Sequence, residues 1–457
     1  ATLNMIISTT TGNGSYCNLL YGAADHIFKY GGTETARLST AGNYTITGEF
    51  ASAQDYPNYR PTLDFNFKAV KKLDPRITYE RTGPASYVDE NGYVVLVGDN
   101  TPRFDHDPET NECKGLLIEE QRTNLIPNSF DKGTWSAGSA GTLTRNAGLA
   151  PDGTNTATKA STTSNDIDVS PQVGPASAGA TGQIAISGST TYTLSIWAKA
   201  STSAQVGNNF KVRWKRVQGD SVSAETTFAL TADWKRYSAT NTTAANNSTI
   251  ACYIGGVANS EALVWGAQLE AGNVVTSLIP TYNGTTATRG ADIAVIDGQD
   301  FLDTYSPHEG SFIIDASIDD LATSNQAIFG AEKSSNRSGW LNMIGYRVGG
   351  NSSAKAAAWY IYNGAGSQGY LNGDNSGSVT AGVPFKAAYR YKYNDFAFTC
   401  NGGTVITDTS GPTVDLGTFN RFIFGSYHYN EIVSGHIRRV TTYSKGLSNS
   451  QLLTLTS

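Results

Sequence analysis

Asp105-His106-Asp107 is the only tight cluster of metal-capable side chains in the sequence. On an extended segment, alternation sends the two carboxylates to one side and the imidazole to the other. Two carboxylates suit a hard cation such as Ca²⁺, but that ion takes about six to eight oxygen ligands. A turn, or an ion pair with Arg103, is therefore the stronger reading, and no metal or cofactor is expected. Glu119-Glu120 and Asp319-Asp320 are adjacent pairs whose side chains diverge on a strand. A glycosidase needs two facing carboxyls roughly 5–10 Å apart. Acidic residues between 291 and 457 are scattered (Asp315, Glu332, Asp395, Glu431), and His26, His106, His308, His428 and His436 are dispersed. No Gly-x-Ser-x-Gly elbow is present. The residues display no catalytic machinery, and the chain is expected not to be an enzyme.

Aromatic residues are the more informative group: 24 Tyr, 17 Phe and 7 Trp. An aromatic ring can carry the apolar face of a sugar while short polar side chains order its hydroxyls. Trp359-Tyr360-Ile361-Tyr362 and Phe424-Gly425-Ser426-Tyr427-His428-Tyr429-Asn430 have that character. Alternate rings in such runs face opposite ways, so about half belong to a core. Tyr427 and Tyr429 share a side near Asn430. The expected glycan-contacting residues are Trp359, Tyr362, Tyr427, Tyr429 and Asn430. Each competes with a plain role in sandwich surface or subunit interface.

The elements that must position these groups are strands. Asn91-Gly92, Asp152-Gly153, Asn283-Gly284 and Asn401-Gly402 are turn dipeptides between runs of β-branched and aromatic residues. In Tyr192–Lys199, Tyr192, Leu194, Ile196 and Ala198 share one face, which predicts a half-buried strand. Phe210–Lys215 and Phe312–Ile318 read similarly, and Tyr389–Asn394 places three tyrosines opposite Arg390 and Lys392. Trp197, Trp214 and Trp265 lie on patterned strands and are expected in the core. The basic run Lys211–Arg216 is expected on a solvated outer face. Helical periodicity is nearly absent; Ser448 is placed to cap one C-terminal turn carrying Leu452 and Leu453. The fold class is all-β.

Length and composition bound the rest. At 457 residues the chain exceeds one compact core. Charged residues make up 16% and the net charge is -6 with no basic block, which argues against nucleic-acid binding through phosphate neutralisation. No apolar run approaches the roughly 20 residues of a membrane-spanning helix, so no membrane insertion is expected. No basic-then-apolar leader opens the chain, and Ala1 fits either Met removal or a fragment. Cys17, Cys113, Cys252 and Cys400 are far apart without a CxxC pair and read as free buried thiols. Residues 1–60 hold few large apolar side chains and need pairing with other copies or a neighbour. Residues 61–122 are denser in Pro, Arg and Asp and contain a hairpin at Asn91-Gly92. Residues 123–290 and 291–457 each supply enough strands for two packed sheets, so two β-sandwiches are expected.

Four ordered blocks carry a family likeness: Asp74–Tyr79, Tyr87–Gly92, Pro102–Pro108 and Gly115–Leu125. Together they resemble the module that precedes the fibre and spike domains of tailed-bacteriophage virion proteins. The stretch from Asn124-Leu125-Ile126-Pro127-Asn128-Ser129-Phe130 through Tyr192–Lys199 to Trp265–Gly272 and Ser277–Thr281 resembles the jelly-roll spike or fibre domain of those proteins. That domain is akin to carbohydrate-binding modules. Gly435–Tyr443 and Lys445–Leu452 are similar to concanavalin-like lectin sandwiches at fibre ends, and Tyr30–Asn43 to thin trimeric β repeats of fibre shafts.

The resemblance implies a homotrimeric virion appendage, a tail fibre or spike. Residues 1–60 would form the shaft or virion-docking segment, 61–122 a collar, 123–290 a carbohydrate-binding-module-like jelly roll, and 291–457 a concanavalin-like lectin sandwich. Its implied partners are other copies of the chain, tail or baseplate proteins, and host surface polysaccharide as receptor. Two rivals share the scaffold. One is a depolymerising tailspike enzyme with carboxylates assembled between chains; the other is a capsid decoration or head-fibre protein.

Overall fold

The computed structural model describes residues 60–457 except 132–134, 138–140, 163–165, 169–182, 217–221, 247, 256–258, 322–325, 334–342, 349–356, 363–366, 373–378, 411–418 and 427–431, with five strands before residue 60. The chain divides into two compact units, 1–60 and 61–457. In the first, Met5–Ile7, Cys17–Tyr21, His26–Tyr30, Thr33–Leu38 and Tyr44–Ile46 form a five-stranded antiparallel sheet in chain order.

The larger unit is all-β and built of two sandwiches. The first pairs the sheet Gly141–Gly148, Ala157–Thr162, Ser260–Ala271, Thr191–Ala200 and Lys235–Thr242 with a sheet containing Thr249–Gly255, Asn209–Arg216 and Val222–Ala229. Tyr192, Leu194, Ile196 and Ala198 enter the core between them with Phe210, Val212 and Trp214, as the alternation predicts. The opposite face of Thr191–Ala200 is not solvated, however. Thr193 and Ser195 are fully buried and Trp197 is only 6% exposed. Trp197 and Trp265 pack outside the sandwich core, with Val94, Phe130 and Leu278. Lys211, Arg213 and Lys215 of the basic run face outward but are half-buried, with Lys211 and Arg213 both bonded to Glu225 across the sheet.

In the second sandwich, Gly435–Tyr443, Glu309–Ile318, Phe385–Lys392 and Phe396–Cys400 lie side by side in one sheet. Gln326–Glu332, Arg421–Phe424 and Ile293–Asp297 centre the other, which also contains Ala357–Tyr362. Residues 61–122 contribute to both sheets rather than standing apart. Leu63–Asn66 and Cys113–Ile118 share one edge of Gly435–Tyr443, and Thr78–Glu80 pairs with Ile293–Asp297. The reason is apolar burial: Leu63, Phe65, Phe67, Leu116 and Ile118 have no core of their own and join Phe312, Phe329 and Phe422 in one cluster. Tyr389 and Tyr391 are core residues, whereas Tyr393, beyond the strand end, is 57% exposed. A closing helix, Asn449–Thr456, is capped by Ser448, whose hydroxyl accepts from the Gln451 amide while the Gln451 side chain accepts from the Ser448 amide. Leu452 packs beneath it on Ile313, Ala388 and Ala397.

Candidate functional site

The two sandwiches meet along a seam filled by residues 78–122 and 275–292, and there the charged side chains gather. Arg103 is completely buried. Its guanidinium donates to Glu119 Oε2 at 2.6 Å, Ser277 Oγ at 2.6 Å, the Ser86 carbonyl at 3.0 Å, and Asp292. Arg289 lies 2.9 Å from the same Glu119 oxygen, and Arg81 lies 3.3 Å from Asp292. The Tyr79 hydroxyl also donates to Asp292. Burial alone would favour a neutral Glu119, but Arg289, Arg103 and the Ser277 donors outweigh it and hold its carboxyl far below the usual range. Burial likewise opposes charge on Arg103, and the Asp292 and Glu119 carboxylates reverse that, raising its pKa. Ser277 follows Ser260–Ala271 of the first sandwich, and Glu119 and Asp292 flank the strands Cys113–Ile118 and Ile293–Asp297 of the second, so these residues join the two.

Beside this network lies a cavity of about 230 Å³. The hairpin Ala85–Val88/Val94–Val97 forms one wall. The predicted Asn91-Gly92 turn closes that hairpin: Asp89 accepts from the Asn91 and Tyr93 amides, and Gly92 has φ +83°. Trp197, Arg236 and Thr276–Leu278 form the wall on the first sandwich, and Asp319 and His436 the wall on the second. Lys114 and Pro108 stand at the exposed rim.

Asp105-His106-Asp107 is split by this geometry. A register shift between Asp105 and His106 interrupts the alternation that would pair the two carboxylates. Asp107 turns outward and accepts the Glu109 and Thr110 amides. Asp105 faces the cavity, accepting from the Val88 amide at 2.7 Å and lying 2.9 Å from His436 Nε2. Burial pushes the Asp105 carboxyl up, but the His436 bond and charge outweigh it and its pKa is lowered. Of the two roles expected for the cluster, the turn is found at Asp107, whereas Arg103 serves Glu119 and Asp292 and Asp105 takes His436 with Lys114 at 3.8 Å. No group of three metal-capable side chains converges among the described residues.

Both imidazoles in the wall are held by one nitrogen. His106 Nδ1 lies 3.0 Å from the Val88 carbonyl, which fixes its proton there. Facing the Asp105 carboxylate, His436 Nε2 is the donor on the other ring. Their remaining nitrogens, Nε2 of His106 and Nδ1 of His436, are buried without a partner among the described residues, as is the Trp197 indole N–H. Arg236 donates to the Thr276 carbonyl at 2.6 Å and Ser195 Oγ at 3.0 Å, both neutral. Burial pushes its guanidinium down to about 10. A larger cavity of about 470 Å³ beside Tyr192 contains Arg122, which is paired with Glu120.

None of the residues expected from sequence to touch glycan has a described side chain. Trp359 and Tyr362 lie on the strand Ala357–Tyr362, whose side chains are outside the described part, and Tyr427, Tyr429 and Asn430 lie outside the described residues. Sequence reading treated His106 and His436 as dispersed and Arg236 not at all. The available signal was that His106 and His436 each sit inside a block carrying the family likeness.

No protein-family model matches the chain. No curated protein matches it. Among solved structures, the Ruminococcus gnavus IT-sialidase CBM40 bound to α2,3-sialyllactose is similar at 14% identity over 33% of this chain and 84% of that one, with a TM-score of 0.28. Domain 4 of AbnA, a GH43 extracellular arabinanase from Geobacillus stearothermophilus, in complex with arabinotriose, is similar at 18% identity over 36% and 73%, TM-score 0.26. The receptor binding domain of botulinum neurotoxin mosaic serotype C/D is similar at 16% over 35% and 38%, TM-score 0.27.

Proposed function

We propose that this chain is a host-attachment appendage of a tailed bacteriophage, a tail fibre or spike that binds host cell-surface glycan without cleaving it. The observation that carries the reading is the seam. Blocks Pro102–Pro108 and Gly115–Leu125, which bear the likeness to phage fibre modules, supply Arg103 and Glu119, the charges that tie the two sandwiches together. In this reading residues 1–60 build a shaft from three copies and dock to tail or baseplate proteins, while the sandwiches face the cell. The aromatic rows with Trp359, Tyr362, Tyr427, Tyr429 and Asn430 form the glycan-contacting surface of the second sandwich. Three-fold presentation lets individually weak sugar contacts act together, since linked sites gain avidity without new contacts.

The test is sedimentation equilibrium of the full chain together with binding to purified host surface polysaccharide. A trimer that binds the polysaccharide and releases no oligosaccharide is expected. A monomer, or release of oligosaccharide, overturns the reading.

A further inference from the structure

We propose that the turn at residues 150–153 and the exposed tyrosines Tyr93 and Tyr282 form a second glycan contact, on the first sandwich, that takes a neutral sugar of the β-glucose type. The turn follows from its residue types. Pro151 sets the second position, Gly153 has φ +76°, and the Gly153 amide donates to the Ala150 carbonyl at 3.0 Å. Three other segments then hold the loop. The Trp234 indole N–H donates to the Leu149 carbonyl at 3.2 Å, the Trp265 indole N–H to Thr156 Oγ1 at 3.1 Å, and the Val94 amide to the Pro151 carbonyl at 2.9 Å. The backbone is fixed in this way while Thr154 and Asn155 stay exposed and Asp152 half-exposed. Positions held so firmly spare a ligand the entropy of ordering them.

Two tyrosine rings border this loop. Tyr93 is 51% exposed, and its ring lies 3.5 Å from where a Cβ on Gly153 would stand. Tyr282 is 37% exposed and packs on Phe130 at 5.5 Å, which packs on Trp265 at 4.8 Å. Burial and then the Asp152 charge raise the Tyr282 pKa, so the carboxylate is within electrostatic reach of that ring. Asp152 Oδ1 accepts the Thr154 amide and hydroxyl, and its Oδ2 has no partner among the described residues. A sugar with equatorial hydroxyls suits such a surface: its C–H faces lie on the rings and its edge hydroxyls donate to the carboxylate. A protein partner would need a continuous apolar patch. Here Tyr93, Tyr282 and Leu149 stand among Asp152, Thr154 and Asn155. Neither Asp152 nor Asp89, which accepts the Tyr93 amide, has an ion pair among the described residues, and Lys71 is taken by Glu90. That charge disfavours acidic sugars. The choice of a sugar rests on the glycan-binding reading above; the neutral preference rests on the two carboxylates.

The experiment is calorimetric titration of the full chain at pH 7 with cellohexaose and with its counterpart oxidised to glucuronate at C6. Cellohexaose is expected to bind at least about threefold more tightly than the glucuronate, and Asp152→Asn to narrow that gap. Tyr93→Ala is expected to weaken cellohexaose about fivefold, the loss that accompanies one aromatic contact. Tyr93→Phe keeps the ring and is expected to stay within about twofold of the unsubstituted chain. Tyr393→Ala, exposed on the second sandwich, is the control and is expected to change nothing. No binding of cellohexaose, unchanged affinity in Tyr93→Ala, or an equal loss in Tyr393→Ala overturns the site. Dissociation of an oligomer by Tyr93→Ala also overturns it, because the patch would then be a subunit contact. Glucuronate bound as tightly as cellohexaose overturns the neutral preference. Host polysaccharide bound while cellohexaose is not sinks this proposal and spares the attachment reading; cellohexaose bound with no polysaccharide binding does the reverse.

Discussion

Replacing Arg103 with Met removes the central cation of the seam and leaves a side chain of similar length in its place. Glu119 then keeps Arg289 and Ser277, while Asp292 keeps Arg81, Tyr79 and the Glu119 amide. Neither carboxylate is stranded, but each loses its shortest cationic partner, and the Ser86 carbonyl loses its donor. Since no charge is left uncompensated, the loss is that of hydrogen bonds between charged groups, about 1.5–3 kcal/mol. At roughly 2–4 °C per kcal/mol for a lobe of 150–250 residues, the expected loss is about 3–12 °C in melting midpoint. Lys71→Met provides the comparison, because its pair with Glu90 is exposed and such pairs contribute little. Thermal unfolding followed by tryptophan fluorescence and by far-ultraviolet circular dichroism reads both. Trp197 and Trp265 lie against the seam, so fluorescence reports its opening. A loss below about 1 kcal/mol for Arg103→Met, or one equal to that of Lys71→Met, would refute the idea that the network joins the lobes.

Two other predictions follow from the same geometry. Glu119 and Asp105 have folded pKa values below their unfolded ones, so the stability they contribute is present above roughly pH 4 and is lost as pH falls through and below that value. Melting midpoints measured from pH 7 to pH 3 should drop steeply below about 4.5, and Glu119→Gln should flatten part of that drop; an unchanged slope in the variant counts against Glu119 as a source. Gly83 has φ +82°, and a Cβ there would sit 2.0 Å from the Thr288 carbonyl oxygen, so Gly83→Ala is expected to be destabilised by more than the ~1–3 kcal/mol of backbone strain. A near-neutral midpoint in denaturant would show that the two segments are not so closely apposed.

Period-two patterning made the inward face of Thr191–Ala200 legible, because Tyr192, Leu194, Ile196 and Ala198 alternate with Thr193, Ser195, Trp197 and Lys199, three of them polar. The same patterning misread the other face. Thr193 and Ser195 look like solvent-facing residues, and only the segment laid over them by distant parts of the chain buries them. Alternation states which residues share a face and says nothing of what covers it. The Asn91-Gly92 hairpin and the Ser448 cap were legible because their bonds close within a few residues. The partners of Arg103 were not: Asp292 lies far along the chain, whereas the Asp105-His106-Asp107 cluster follows it within a few residues. The meeting of His106 with His436 has the same cause, since it depends on Cys113–Ile118 pairing with Gly435–Tyr443. For the aromatic rows the comparison is open at Trp359 and Tyr362, of which only the strand is described, and at Tyr427, Tyr429 and Asn430, which lie outside the described residues.

The cavity and the first sandwich are linked through one strand. Even-numbered residues of Tyr192–Ala198 lock into the sandwich core, and odd-numbered ones face the seam, where Ser195 accepts from Arg236 and Trp197 lines the cavity. A one-residue slip would exchange the two sets, placing Trp197 in the core and Ile196 against Arg236. The apolar core therefore fixes the seam's polar groups from behind, holding Trp197 and the partner of Arg236 in register without any bond made within the cavity itself. Positioning of this kind comes from rigid elements rather than loops. Substitutions in the core that let the strand shift should then disturb the seam at a distance, while changes at Lys114 on the rim should leave the core untouched.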